Sequence, residues 1–279
     1  MIRIFPLDQI KVSGHDKISI IRKLKDSSND FILKEIIGDY VFFNNGKDAI
    51  KAIIEHLRLK RIDEVFITTT TDSSYVSTCV SATIFNYCGI SRILTKRTKA
   101  IFVIHTYGFP HPKLGELRNI ADNHNIPLIE DCISAFNSYS NDNIRLGSIG
   151  DYAVYSLPKI IPIEYGGILT SKTKVIKGIS DDYLSKELKF WTPFLNEMKN
   201  RTRKNYFYLK KTLGFPIYQE DKNVNPFMYG LISKDYEIVM EALSGLIEFG
   251  KTHVKNEIHI PVNPYIQIDD YKYFVNYKL

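Results

Sequence analysis

The stretch KAIFVIHTYGFPHPKLGELRNIADNHNIPLIED, residues 99–131, decides the fold. It opens on a continuous apolar run, Ala100 to Ile104, as expected of a strand buried on both faces. HPKLGELRNIADNHN (111–125) reads as a helix. IPLIED (126–131) is a second buried strand, and it ends in two carboxylates, Glu130 and Asp131. Strand, helix, strand in this order is the unit from which parallel sheets are built.

The alternation continues on both sides. YVFFNNGKDAIKAIIEHLRL (40–59) reads as a short strand, a turn at Asn44-Asn45-Gly46 and an amphipathic helix, with Ala49, Ile50, Ile53, Ile54 and Leu57 at helical spacing. DEVFITTTT (63–71) is a β-rich run followed by the helical SSYVSTCVSATIFNYC. DYAVYSL (151–157) and GGILTS (166–171) supply two more strands. The expected class is α/β, a mainly parallel sheet flanked by helices. Ligands in such sheets bind beyond the carboxyl ends of the strands. Asn44–Lys47, Thr69–Tyr75, His105–Tyr107, Asp131 and Ser156–Lys159 all fall near such ends, so they are expected to converge on one crevice.

Beyond about residue 172 the character changes. KELKFWTPFLNEMKNRTRKNYFYLKKTLG (186–214) is basic, aromatic and helical. PFMYGLI reads as a strand, YEIVMEALSGLIEFG as a helix, and the C-terminal residues as a short strand and a last helix. The reading is a large α/β domain over residues 1–172 and a smaller α+β domain over 173–279.

Composition sets the outer bounds. A chain of 279 residues is long enough for a large core. No apolar run approaches the roughly 20 residues of a membrane-spanning helix, and the N-terminus has no apolar core followed by a small-residue cleavage site. Cys79, Cys88 and Cys132 make no paired or metal-like spacing, which fits free thiols in a reducing cytoplasm. A net charge of +6 is too modest to demand nucleic acid, but it suits an anionic small substrate.

Four residue groups carry candidate chemistry. Asp131 is either a cap at a strand end or a carboxylate aimed into the crevice, where it would hold a heteroaromatic nitrogen protonated. The Asn45-Gly46-Lys47 turn opens a helix, whose unpaired N–H groups suit a phosphate; the spacing is not that of a P-loop. Tyr75, near a strand end, is either packed or stacked on a flat ligand. Ser156 ends a strand and offers a hydroxyl to phosphate. Lys159 sits among Leu157, Pro158, Ile160, Ile161 and Pro162, so it either snorkels to solvent or is held there with a lowered pKa, able to attack an aldehyde.

The order NNGK–helix, TTTDSSYVST, AIFVIHTYG, PLIEDCISAF, GSIGDYAVYSLPK, GGILTS, IPVNP resembles the DegT/StrS-like family of sugar aminotransferases, from about residue 40 to the end. These are pyridoxal 5′-phosphate (PLP) enzymes of fold type I. The resemblance implies that Lys159 carries the cofactor and that Asp131 pairs with its ring nitrogen. Tyr75 would stack on the ring, and Asn45, Gly46, Lys47 and Ser156 would seat its phosphate. Ser134 stands where the family has glutamine three residues after the aspartate. Two further departures are a Ser-to-Lys spacing of three rather than five, and Tyr165 in place of the acidic residue before the glycine pair. The chain also lacks a segment between NYCG and KRTKAI, and its second domain is trimmed.

The implied function is amination of a nucleotide-linked keto-sugar for surface polysaccharide, with an amino acid such as glutamate as donor, in a cytoplasmic homodimer. The alternative is a family member that binds a sugar nucleotide or a partner without turnover. A dehydrating branch replaces the lysine by histidine, and no histidine lies within 155–171. The basic stretch 186–211, with Arg201 and Arg203, is either a solvated helix face or the seat of the substrate's diphosphate.

Overall fold

Alternating burial on the central strands organises the whole molecule. The computed structural model describes residues 37–71, 76–172, 176–214, 216–218, 223–234 and 256–275. In strand β4 (Thr98–Ile104), Ala100 and Phe102 belong to one apolar core and Ile101 and Val103 to another, all fully buried. Such a strand needs cover on both faces, and helices supply it.

The sheet has seven strands in the order β1-β7-β6-β5-β4-β2-β3. These are β1 (Tyr40–Phe43), β2 (Glu64–Thr69), β3 (Gly89–Ser91), β4, β5 (Leu128–Asp131), β6 (Tyr152–Ser156) and β7 (Gly167–Ser171). Neighbours pair in parallel from β3 through β6. β7 alone runs against its neighbours, β6 on one side and β1 on the other.

Helices α1 (Gly46–His56) and α2 (Thr78–Phe85) cover one face. Ala49, Ile50, Ile53, Ile54, Val80 and Ile84 pack there on Val65, Ile67, Phe102 and Val154. On the other face, α3 (Leu114–His124) lays Leu114, Leu117 and Ala121 on Ile101, Val103 and Leu128. Beside α3, helix α4 (Asp182–Trp191) and the first turn of α5 (Leu195–Leu213) bring Leu184, Leu188, Trp191 and Leu195 against Ala153, Tyr155 and Ile168. The long helical run read from 186 to 214 is broken at Thr192–Phe194 by a single 3-10 turn. Pro193 lacks the N–H that an uninterrupted helix requires.

A separate core gathers Tyr206, Leu209, Tyr218, Met228, Tyr229, Ile258, Ile260 and Tyr271 from the second half of α5, from the segment after it, from the antiparallel pair β8 (Met228–Ile232) and β9 (Glu257–Pro261), and from α6 (Ile268–Val275). The expected helix at YEIVMEALSGLIEFG lies outside the described residues. Tyr107 and Phe109, from the turn after β4, enter this second core and join it to the sheet. Tyr107 has φ 53° and Gly108 φ 94°. A Cβ on Gly108 would stand 2.2 Å from the carbonyl oxygen of Asn225, so only glycine admits this approach. The Tyr107 carbonyl accepts from Phe227 N at 2.7 Å across the same junction. Among the described residues no helix is long and apolar enough to cross a membrane.

His259, on β9, lies in this second core with its ring 4.7 Å from Tyr107 and 6.1 Å from Tyr218. Neither ring nitrogen makes a hydrogen bond among the described residues, and the nearest carboxylate oxygen, on Glu257, is 3.8 Å away. Burial pulls its pKa down to about 4. Between that value and roughly 6.5, the usual histidine pKa, the unfolded chain binds a proton that the folded one refuses. Stability therefore falls as pH drops through this window, by up to roughly 3 kcal/mol. His259→Phe should flatten the dependence of the urea midpoint on pH between 7 and 4. An unchanged slope would place the acid sensitivity elsewhere.

Candidate active site

The crevice forms where β5, β6 and the start of α1 meet. Parallel strands and their helices all deliver backbone ends to this edge. Asn45 caps α1: its Oδ1 accepts from Asp48 N at 3.0 Å, and its Nδ2 donates to Asp48 Oδ2 at 3.1 Å. The cap serves one of the N–H groups at the helix start and leaves those of Gly46 and Lys47 at its positive end. Lys47 is exposed, whereas Gly46 is buried. A Cβ on Gly46 would lie 3.2 Å from Ile133 Cδ1 and 3.8 Å from Ser156 Cβ. The turn before α1, the loop after β5 and the end of β6 thus close on one another.

The glycine pair makes this closure possible. A Cβ on Gly167 would fall 2.4 Å from the carbonyl carbon and oxygen of Asn45 and 2.9 Å from Gly46 N. Gly166, at φ 127°, donates its N–H to the Asn44 carbonyl at 2.8 Å. The departure of Tyr165 from the family pattern has a structural outcome too: its hydroxyl donates to Asp181 Oδ2 at 2.8 Å, tying the lysine loop to the cap of α4.

Asp131 ends β5, 4% exposed, and one of its oxygens accepts from Ile133 N at 2.9 Å. Burial raises its carboxyl above the ordinary range, while the Ile133 N–H and the charge of Lys159 work downward. Lys159 ends the 3-10 turn Leu157–Lys159 that follows β6. Burial lowers its pKa below the usual lysine value, and Asp131 and Cys79 pull it back up. Each group is pushed toward its neutral form, and each is near enough to act on the other. The Lys159 ammonium also sits 5.8 Å over the ring of Phe227. Lys159 is half-buried, between the snorkelling and the held reading that the local residues left open.

Asp131 and Glu130 are neighbours with opposite surroundings. Glu130 is fully buried on the far face. One oxygen accepts from His105 Nε2 at 2.9 Å and Gly147 N at 2.8 Å, and the other from Ile149 N at 2.8 Å and Gly150 N at 2.5 Å. Burial alone would raise its pKa; the His105 contact and the backbone N–H groups more than offset that and hold it below the usual range. His105 Nδ1 accepts from His111 N, so the imidazole is the neutral tautomer that donates through Nε2. The donor atoms of His105, Glu130 and Cys132 lie within 4.8 Å of one another, but those of the first two are taken by this network. It fastens the Gly147–Gly150 loop to the sheet. Sequence alone does not single out the His105–Glu130 pair, because a buried acceptor and a crevice carboxylate look alike one position apart.

A pocket adjoins the crevice at Lys159 and Ser134; Asn45, Gly46, Asp131 and Ser156 do not line it. Beside Lys159 its walls include Ser134, Phe227, Asn225 and Asn263. Tyr75 lies outside the described residues. The two candidate arginines on α5 face different partners. Arg201 Nε pairs with Glu197 Oε1 at 2.9 Å, and its charge reaches Tyr265. Arg203 Nη1 donates to the Val224 carbonyl at 2.8 Å, and its guanidinium lies 5.3 Å over Phe207.

The residues present fit a phosphorylated pyridine aldehyde. A helix start with a small residue provides the phosphate seat. A lysine driven toward the free amine provides the aldehyde partner. A buried carboxylate short of counter-charge suits a protonated ring nitrogen.

Comparisons with known proteins bear on the family and the fold. The profile of the DegT/DnrJ/EryC1/StrS aminotransferase family matches residues 38–179. GDP-perosamine synthase of Vibrio cholerae is 28% identical over 148 residues, which cover 48% of this chain and 40% of that protein. The chain spans less than half the length of the curated relatives it matches. In fold, the aminotransferase TlmJ of Streptoalloteichus hindustanus superposes with a TM-score of 0.71 at 15% identity, covering 94% of each chain. The PLP form of Spr1654 from Streptococcus pneumoniae, described as a sugar aminotransferase, superposes at 0.66 and 14% identity, covering 95% of each.

Gly167→Ala should destabilise the protein by roughly 2–4 kcal/mol, the upper part of the range for point mutations, because the added carbon meets backbone. Gly115→Ala, on an exposed turn of α3 with nothing within 4 Å, should be neutral or stabilising. Urea midpoints of the two variants check the contrast. Equal midpoints would mean that the Asn45–Gly46 turn is free to move aside.

Proposed function

The chain belongs to the DegT/DnrJ/EryC1/StrS aminotransferase family, and from that premise we propose that it is a PLP-dependent aminotransferase acting on a nucleotide-linked keto-sugar, in the synthesis of surface polysaccharide. The observation that carries the reading is the Lys159–Asp131 pair, a half-buried amine on the turn after β6 and a buried carboxylate at the end of the adjacent β5, each acting on the other beside a helix start.

When bound, PLP supplies an aldehyde for the amino group and a protonated ring that draws electrons from the carbon losing its proton. Lys159, favoured as the free amine, would hold the cofactor covalently. Freed by the amino donor, its Nζ would serve as the base and acid that takes the proton from the donor's Cα and gives it up two atoms away, across the intervening nitrogen, at the carbon of the former aldehyde. Asp131 keeps the proton on the ring nitrogen. The N–H groups of Gly46 and Lys47, the Asn45 cap and the Ser156 hydroxyl seat the phosphate. Ser134 would border the ring; Tyr75, expected from the resemblance to stack on it, lies outside the described residues.

Arg201 is the stronger of the two arginine candidates for the substrate's diphosphate; Arg203 reaches it only by leaving the Val224 carbonyl. The nucleotide-linked substrate is supported by the activity for which the Vibrio relative is named. An amino acid such as glutamate is the proposed donor, and a cytoplasmic homodimer the proposed working form, in keeping with the prevalence of two-fold assemblies.

Borohydride reduction of the PLP-loaded protein should leave the pyridoxyl group on Lys159 in peptide mass spectra. Covalent loading should quicken as pH rises and level off below the ordinary lysine pKa of roughly 10.4, because the reactive species is the neutral amine. Label on another lysine, such as Lys47, would overturn the assignment.

Asp131→Asn should still take up PLP but lose at least about a hundredfold in transamination of UDP-, GDP- or dTDP-linked keto-sugars, since an amide holds no proton on the ring. Near wild-type turnover in that variant would reduce Asp131 to a structural role.

A further inference from the structure

Asn225 and Asn263 line the same pocket as Lys159, and their amide orientations are fixed from behind. Asn263 Oδ1 accepts from Tyr265 N at 2.9 Å and from Ile266 N at 3.2 Å. Its oxygen is therefore turned to the backbone. Its Nδ2 is buried, in a residue only 4% exposed, and has no hydrogen-bond partner among the described residues. Asn225 is arranged the other way round. Its Nδ2 donates to the Phe136 carbonyl at 3.0 Å, and its buried Oδ1 lacks a partner among the described residues.

Buried polar atoms are nearly always paired, so each exception asks for an explanation. Here two exceptions of opposite character belong to residues that line one pocket. A carboxylate or a phosphate offers acceptors alone; it would satisfy Asn263 and set oxygen against oxygen at Asn225. An ammonium offers donors alone and fails at Asn263. A hydroxyl does both. The backbone around the pair is rigid in support. Asn225 N donates to Ser138 Oγ at 2.8 Å, and the Asn263 carbonyl accepts from Asn205 Nδ2 at 2.9 Å.

We propose that Asn225 Oδ1 and Asn263 Nδ2 form a subsite for the hydroxyl-bearing, uncharged part of the sugar, accepting from one hydroxyl and donating to the same or the next, and that this subsite discriminates against sugars with a carboxylate at that place. The inference rests on reading the crevice as the site of a nucleotide-linked sugar.

Asn263→Asp is the informative variant. It keeps an acceptor for Tyr265 N and Ile266 N and replaces the donor with a second acceptor, charged when ionised. Its missing side-chain amide signals identify those of Asn263 in proton–nitrogen spectra of the PLP-loaded wild type. In the wild type these signals should shift on adding UDP-glucose or GDP-mannose and stay still with UDP or GDP. UDP-glucuronate should bind at least tenfold more weakly than UDP-glucose. Asn263→Asp should lose at least tenfold in affinity for the nucleotide-linked hexose that binds, with UDP or GDP affinity and PLP loading unchanged.

If no nucleotide or nucleotide-sugar binds, yet free glucose or mannose at high concentration shifts the Asn263 signals, the nucleotide-sugar reading fails and the subsite stands. Signals that stay still with every free and linked sugar would overturn the subsite and leave the pair to ordered water. The subsite is equally overturned if Asn263→Asp binds the linked hexose as tightly as wild type.

Discussion

Side chains alternate along a strand, so the register of β5 sends Glu130 and Asp131 to opposite faces, and the whole site follows from that division. Glu130 goes to the face of Leu128, where His105 and three backbone N–H groups receive it. Asp131 goes to the face of Ile129, beside α1 and Lys159. A slip of one residue would turn each to the other face: slipped one way, Glu130 would stand in the crevice with a carboxylate one methylene too long; slipped the other way, Asp131 would stand one methylene too short among the donors of the Gly147–Gly150 loop. The four donors on Glu130 hold the register in place. A carboxylate far from the chemistry thereby sets the depth of the one at its centre.

Burial without full pairing recurs around the crevice, and it has one physical sense. Asp131 and Lys159 are each displaced toward neutrality by desolvation, and Asn225 and Asn263 each keep an unanswered polar atom. A folded chain keeps such groups only where the surrounding structure over-determines them. Here the surroundings do: helix caps, the Gly166–Gly167 approach and the Asn263 turn are all satisfied behind the groups that are not. Elsewhere the described residues pack into three apolar cores on the two faces of the sheet and a fourth around β8 and β9, where His259 is a further buried group with unanswered nitrogens.

Much of this was legible in the sequence, because strand and helix periods differ and the buried strands here are short and uninterrupted. The runs at Ala100–Ile104 and Leu128–Asp131 declared themselves, and the positions of Asn45–Gly46, Asp131, Ser156 and Lys159 at element ends foretold that they would meet. Other features had no signature in one dimension. GGILTS reads as any buried strand, and nothing in it says that β7 runs backward. The division of labour between Glu130 and Asp131 depends on which face each meets. Asn225 and Asn263 are commonplace loop residues until their amides are seen pinned from behind. The break between α4 and α5 was carried by Pro193, whose missing N–H a purely periodic reading overlooks.

The lysine loop is a closed handle. The Leu157 N–H bonds to the Gly166 carbonyl at 3.0 Å, and the Gly166 N–H bonds to the Asn44 carbonyl, so the chain leaves and re-enters the sheet at one fixed gate. Inside the handle Ile161 and Ile163 are buried in the core and the Tyr165 hydroxyl bonds to Asp181, so the loop is moored along its length as well as at its gate. The lysine thus rides on a short, stiff span, and a protein engineer grafting a different loop here must reproduce those inner moorings along with the gate.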